Sequence, residues 1–469
     1  MSWTEQLKSW TLNNAIDLAH ALTRSIADRR HPLHEGRFVG RSWLNWNAAI
    51  TAKPAAILRP VTEAEICTSV QAHPRLRVVG AGHSFNAAPC SDDAMLSLDG
   101  YNRILSVDSA TRTVRVQAGV RLHALTAQLA QRGLALPCLG STDVQSLAGV
   151  LSTDVHGTGR DHGFLSEQVR SLRLVDAVGL ARTYAIDSEV CQAALGGLGL
   201  LGVITEVELQ CEPNYRMARE FRILPRDAWQ AALPSLRSEH DHVSIYFLGG
   251  TQHAPVRLNL WRRTNEPLSP DRQARKRRTE LLELFYSGML MNGAAALGLA
   301  EENGRLGQWL FQQFSADEVT VYPWQQAFPR WLYFRHDELE YGLAQDSWQA
   351  ALDEVLDLLK RRSFPAIVEV RFTPDRSRAL LGPGVGRPTT YIELAAGMGE
   401  QTRGVFTEVA AILRAHGGQP HLGKALDMSA SELSALFGSR YQRFQAARAG
   451  QDPTGKFLNP FCTRLFGAG

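Results

Sequence analysis

Apolar and polar positions recur with two periods along this chain, and the change of period divides it. Leu12, Ile16, Ala19, Leu22 and Ile26 follow one another at spacings of three and four, which puts them on one helix face. Ala56-Ile57-Leu58-Arg59-Pro60 predicts a short strand stopped by proline. Thr62-Glu63-Ala64-Glu65 has the form of a capping box, so a helix starts there and runs to about His73. Leu76-Arg77-Val78-Val79 predicts a strand that feeds straight into Gly80-Ala81-Gly82-His83.

Period-two alternation then takes over. It predicts a hairpin over 104–108 and 113–117, a second over 169–176 and 180–186, and a strand over 203–209. Residues 45–213 therefore read as an α+β unit rich in glycine loops. From about Pro213, strands such as 366–371 mix with helices such as 348–359. Residues 265–315 are mostly helical in pattern and look like an insertion. The last forty residues return to a helix over 431–448 and then a turn at Asp452-Pro453-Thr454-Gly455. The expected units are a helical extension over 1–44, a first domain over 45–213, a second over 214–430, and a segment over 431–469 that packs back on the first.

At 469 residues the chain calls for two or three packed units. Its 44% hydrophobic and 21% charged residues are those of an ordinary globular protein, and a net charge of +3 does not point to nucleic acid or an acidic membrane. The basic run 272–278 reads as a solvated helix face or exposed loop, with a phosphate or membrane-surface patch as the sharper alternative. The six cysteines form no CxxC pair and no metal-ligand spacing, so they read as buried thiols in a reducing compartment. No signal peptide and no membrane-length apolar run is found, and the expected location is cytoplasmic.

Five segments could carry chemistry. The loop Gly80-Ala81-Gly82-His83-Ser84 follows a strand and exposes backbone N–H groups that can cradle a pyrophosphate, although alone it reads as a tight turn. It is neither GxGxxG nor a Walker loop. Leu139-Gly140-Ser141 through Gly149, with Thr153 through Gly159, offers two more small-residue loops that let backbone approach a large planar ligand. Gly196 through Gly202 is dense in glycine before a strand, which by itself is packing. Glu369 and Arg371 lie at i and i+2 of a strand and share a face, either as a surface ion pair or as a site. Gly418-Gln419-Pro420-His421-Leu422-Gly423-Lys424 presents a lysine in a loop.

These pieces, together with Asn45-Trp46-Asn47 and Asp452 through Asn459, resemble in identity and order the vanillyl-alcohol-oxidase-type flavoproteins, aldonolactone oxidase branch. That branch holds L-gulonolactone and D-arabinonolactone oxidases and the alditol oxidases. The resemblance covers roughly 44–213 and 330–469. It implies a two-domain FAD-binding fold of the PCMH type, with a mixed-sheet substrate domain. It implies FAD bound covalently through His83, with Gly80, Ala81, Gly82 and Ser84 around the pyrophosphate. Ser141, Ser146, Gly149, Thr153, His156, Ile204 and His421 would line the rest of the cofactor site. Lys424, Arg371, Glu369 and Ser141 match the groups that face substrate. Gly140 stands where a small residue admits oxygen; related plant dehydrogenases carry alanine there. Leu422 stands where the family has tryptophan, which would open one wall.

The implied reaction is hydride transfer from a carbinol C–H of a lactone or polyol to flavin N5. Glu369, or a water it orients, would take the hydroxyl proton, and oxygen would give hydrogen peroxide. The partners expected are therefore a small polyol or lactone and molecular oxygen. One alternative is a flavin dehydrogenase that passes electrons to a quinone or cytochrome. A non-enzymatic FAD binder is a second. A metal hydrolase using His83, His156 and His421 lacks the carboxylate–histidine spacing, so no metal is expected.

Overall fold

The computed structural model describes residues 35–251, 254–288, 319–329 and 335–467. The helix face read at Leu12 to Ile26 lies outside them. So does residue range 289–318, most of the expected insertion. Residues 35–44 do not continue a helical extension: Arg37–Val39 and Ser42–Leu44 pair as a hairpin that Thr51–Ala52 joins. Trp43, 1% exposed, anchors it against Val79 and Met95.

The first unit starts as the capping box predicts. Thr62 accepts from Glu65 N and Glu65 reaches back, which opens the helix Glu63–Ala72. Three parallel strands follow in the order Ala56–Leu58, Ala94–Ser97, Leu76–Val79. A separate antiparallel sheet runs Ala181–Ala185, Val169–Val175, Val203–Gln210, Thr113–Gln117, Ile104–Asp108. Along Val203–Gln210 the buried and half-buried positions alternate from Thr205 onward, so the period-two pattern is also the packing pattern.

The second unit is an eight-stranded sheet. Its order is Thr320–Pro323, Arg216–Leu224, Val256–Thr264, His242–Leu248, Ile367–Thr373, Thr389–Ala396, Asp337–Ala344, Gln419–Pro420. Every pairing is antiparallel, so the sheet expected to be mixed is not. The helices Trp229–Glu239 and Trp348–Arg361 each carry the chain between two strands of the same direction, and an antiparallel strand lies between the two, Val256–Thr264 in one case and Thr389–Ala396 in the other, so no parallel pair forms.

One face of this sheet packs on the helices Trp229–Glu239, Trp348–Arg361 and Glu400–Ala415. Val243, Ile245, Val368, Val370, Ile392, Leu394, Leu339 and Tyr341 form that core. The intervening residues point to the other face, and that face meets the loops of the first unit rather than water. Glu340, Glu369, Arg371 and Glu393 are all under 8% exposed there.

The helix expected over 431–448 is two helices, Ala430–Phe437 and Ser439–Gln451. Gly438 breaks them at φ 55°, a conformation that favours glycine. The C-terminal segment is tied to the first unit. Arg77 donates to Phe457 O, Ala88 O and Leu198 O, and Asn459 Nδ2 donates to Ala87 O and Cys90 O. The basic run lies in the helix Arg272–Gly288, and it is not wholly solvated. Lys276 is 2% exposed and donates to Gln326 O, and burial pushes its ammonium down to about 8 against the pull of Glu280. All six cysteines are free thiols, four of them buried. Among the described residues no helix is long and apolar enough to cross a membrane.

Candidate active site

The strand Leu76–Val79 ends where Gly82 takes φ 62°. A side chain at Gly82 would meet Trp43 at 2.8 Å, and one at Gly80 would collide with Ser146 Oγ. The carbonyls of Ala81 and Gly82 are turned away, accepting from Gly36 N and Trp46 N. The loop therefore presents backbone amides, without side-chain cover, to whatever lies over it.

What lies over it is a long cavity of about 1520 Å³, counting its open mouth. Its lining runs from the first glycine loop to the lysine loop, as a site for an extended ligand requires. Gly80, Ala81, Gly82, His83 and Ser84 line it, as do Gly140, Ser141, Ser146, Gly149, Thr153, His156, Ile204 and His421. Leu198, Gly199 and Gly202 line it too, so the third glycine loop does more than pack. Arg371 and Lys424 close the far part, with Glu338 and Glu340.

His83 lies flat on Trp46, with ring centroids 4.7 Å apart and planes 3° apart. His336 meets the edge of Trp46 at 5.2 Å. This stack fixes the imidazole plane at the cavity wall.

The lysine loop is held on both sides. His421 N donates to Glu340 O at 2.9 Å and Ala425 N to Glu338 O at 2.8 Å, which extends the edge of the large sheet. Asn86 Nδ2 donates to Leu422 O and Lys424 O, and Phe85 N donates to Gly423 O. The first glycine loop and the lysine loop thus form one clamp. Leu422 belongs to the core of the first unit and does not line the cavity, so the missing tryptophan opens no wall.

Glu369 is the departure. Its carboxylate accepts from Tyr246 Oη at 2.7 Å and does not line the cavity. Arg371 beside it pairs instead with Glu340 and Glu393, and all are buried, so this is no surface ion pair. The carboxylates at the cavity are Glu338 and Glu340. Their signal was present, since Asp337-Glu338-Leu339-Glu340-Tyr341 alternates as a strand with two acids on one face.

Charge is concentrated here. Lys424 Nζ pairs with Glu338, with Glu393 at 3.0 Å and with Glu340 at 3.9 Å. Burial resists ionisation of Glu338, but Lys424 and His336 overcome it and hold the carboxyl well below the usual range. Burial is likewise outweighed at Glu340, by Arg371, His156 and Lys424. For Lys424, burial alone would favour the amine, but Glu338 and Glu393 keep the ammonium and raise it above an ordinary lysine. Burial lowers His421 to about 3, so it is neutral, and its Nδ1 accepts from Gly423 N. Its Nε2 therefore carries the hydrogen.

Candidate metal-ligand atoms of His156, Glu340 and His421 come within 4.8 Å of one another. They do not suit a divalent ion. His421 has no lone pair free at Nε2, and Glu340 already faces Arg371 and Lys424, two lasting cations. His83 lies apart, on Trp46.

The D-arabinono-1,4-lactone oxidase family model matches residues 207–465, and an FAD binding domain model matches 54–184. The chain is 32% identical to an L-gulono-1,4-lactone dehydrogenase of Mycobacterium tuberculosis, over 91% of this chain and 99% of that one. It is 30% identical to an alditol oxidase of a Streptomyces species, over 90% and 98%. It is 29% identical to the L-gulonolactone oxidase of Bos taurus, over 92% and 99%. Among solved structures, a solvent-stable cholesterol oxidase superposes with TM-score 0.75 at 18% identity, over 93% of this chain and 98% of that one, which speaks to the fold.

Proposed function

Because this chain belongs to the D-arabinono-1,4-lactone oxidase family of FAD-dependent oxidoreductases that act on CH–OH groups, we propose that it oxidises a carbinol of a sugar-derived lactone or polyol. The observation that carries the reading is one cavity with a bare glycine cradle in one part and Arg371 with Lys424 in another. Bound FAD supplies acceptance of the hydride at N5 and delivery of the electron pair to dioxygen, which leaves as hydrogen peroxide.

The chain's own residues do the rest. His83 is the attachment point, to the 8α-methyl carbon, and its stack on Trp46 keeps the imidazole in one plane. The amides of the 80–84 loop hold the pyrophosphate. Ser141 orients a substrate hydroxyl. Lys424 and Arg371 hold the negative charge that grows on the substrate oxygen as the C–H bond breaks. Gly140 leaves oxygen a path. Residues 45–213 bind FAD, 214–430 shape the substrate end, and 431–469 brace the first unit. Six free thiols suit a reducing, cytoplasmic setting.

An anaerobic panel of aldonolactones and alditols tests this. Flavin bleaching by at least one member is expected, and a panel that bleaches nothing overturns the reading. Peroxide formed per substrate consumed separates an oxidase from a dehydrogenase, the word in the name of the mycobacterial relative. After acid precipitation the pellet stays yellow; a colourless pellet with free FAD in the supernatant refutes attachment through His83.

A further inference from the structure

The cavity-facing side of the large sheet carries its acids in register. Glu369 stands opposite Tyr246 on one side and Glu393 on the other, and Glu393 stands opposite Glu340. Four adjacent strands therefore contribute one row, Tyr246, Glu369, Glu393, Glu340. Like charges directly opposite each other are unfavourable. Water does not relieve this row, because Glu340, Glu369 and Glu393 are 1%, 6% and 7% exposed.

Glu338, Glu340 and Glu393 share two cations among the described residues, Arg371 and Lys424. Three carboxylates around two fixed cations keep one negative charge in excess unless a proton is held among them or on the histidines beside them. His336 lies against Glu338 and His156 against Glu340, so among the described residues Glu393 is the one of the three without a histidine partner. Glu338 and Glu340 are the acidified pair, as described above. Burial pushes the Glu393 carboxyl up to about 7, with Arg371 and Lys424 pulling down and Glu338 and Glu340 pushing up. The groups that face Glu393 are thus Arg371 and Glu369 on one neighbouring strand, Glu338 and Glu340 on the other, and Lys424 on the loop. His156 and His421 lie beyond Glu340, and His336 lies beyond Glu338.

We propose that Glu393 is the proton-holding residue of this site, taking up through Lys424 the proton that the substrate hydroxyl releases. This rests on the carbinol oxidation proposed above. Lys424 lines the cavity and Glu393 does not, so Glu393 is a positioning residue that acts through it. The step balances. The substrate C–H electron pair leaves as hydride to the cofactor, and the O–H bond breaks to leave a carbonyl. Lys424 passes one proton to Glu393 Oε2 as Nζ takes the hydroxyl proton. The ammonium is restored, and the cluster ends neutral beside the reduced site.

The test uses the full FAD-loaded chain and E393Q, with E393D as the conservative variant. Anaerobic bleaching is followed with any lactone or alditol that bleaches the wild type. The wild-type rate constant rises with pH through about 7. In E393Q that limb disappears and the plateau falls about tenfold or more, while substrate Kd stays put. E393D restores a limb. Bleaching near pH 7 releases more protons per flavin in E393Q than in the wild type, which retains them. A wild-type rate with an unchanged limb in E393Q overturns the proposal.

A second measurement needs no substrate. A carboxyl whose folded pKa is raised stabilises the fold at low pH. That stability is lost as pH climbs from the unfolded value, 4.5, to about 7. The Tm of E393Q minus that of the wild type therefore increases across this window, and a flat difference sinks the idea. This readout stands even if no lactone or polyol bleaches the wild type, the outcome that instead removes the carbinol reading. If E393Q does not fold, E393A, which also lacks the carboxyl, carries both measurements.

Discussion

Replacing Lys424 by methionine removes a charge and keeps most of the chain's length. Its Nζ lies 3.0 Å from Glu393 and 3.9 Å from Glu340, and it also pairs with Glu338. At an effective dielectric near 20, unit charges 3–4 Å apart interact by ~4–6 kcal/mol. The ammonium is already shared among three carboxylates, so its net effect on a new negative charge is smaller than that. Loss of one preorganised donor of this kind costs ~2.7–4 kcal/mol, or ~10²–10³-fold in rate. We expect anaerobic flavin reduction in Lys424→Met to slow by that factor in a stopped-flow trace, with substrate Kd rising much less. The fold also suffers, because Arg371 is then the one permanent cation the three carboxylates share, with His336 and His156 beside two of them; a broken buried pair costs ~3–5 kcal/mol unless a proton is taken up. The Tm deficit of the variant should therefore shrink as pH falls. A reduction rate within about threefold of wild type would falsify the assignment of transition-state charge to this lysine.

Two further outcomes follow from local geometry. A methyl group at Gly140 would sit 3.3 Å from Val155 Cγ1 and 3.7 Å from His156 O, so it fits with a shift of a few tenths of an ångström. Gly140→Ala should keep flavin content and reduction by substrate while slowing reoxidation by oxygen about tenfold or more, a barrier of ~1.4 kcal/mol; equal reoxidation rates dismiss the oxygen path. Lys276 has its folded pKa lowered to about 8 by burial. Its contribution is present above the unfolded value and is lost as pH falls through about 8, so wild-type stability measured against Lys276→Met should climb by about 3 kcal/mol from pH 8 to 10.5 in chemical denaturation. A constant difference contradicts a neutralised buried lysine.

Much of the first unit could be read from local pattern. The capping box at Thr62 and Glu65, the strand into Gly80, and both hairpins depend on neighbours in sequence, and they form where the pattern puts them. The glycine loops were readable as loops, but their shared cavity was not, since 80–84, 140–156 and 198–204 meet only after the sheets form. Gly438 shows a local limit. A glycine within a helical pattern usually costs only about 1 kcal/mol, so the break was invisible until φ 55° was seen.

The acids of the site were hidden for a different reason. In Asp337–Ala344, Ile367–Thr373 and Thr389–Ala396 the apolar positions alternate with polar ones, the pattern of a sheet with one face in water. Such a pattern says which residues share a face, and it says nothing about what covers that face. Here the polar face is covered by the loops of another unit, so Glu340 and Glu393 read as solvent-facing although they are buried, and Glu338 although it is mostly covered. Pairing Glu369 with Arg371 by their i, i+2 spacing was the natural step, and it was right about the face but wrong about the partner. A guanidinium finds the carboxylates that lie across the strands, at Glu340 and Glu393. Register sets that choice, and register depends on residues more than twenty positions away. A buried row of acids on a sheet is unstable without cations, so Arg371 and Lys424 are needed by the fold before any substrate arrives. The same pair that permits this sheet to bury its acids is thus the pair aimed at the cavity, and the substrate oxygen meets charges that folding has already fixed in place.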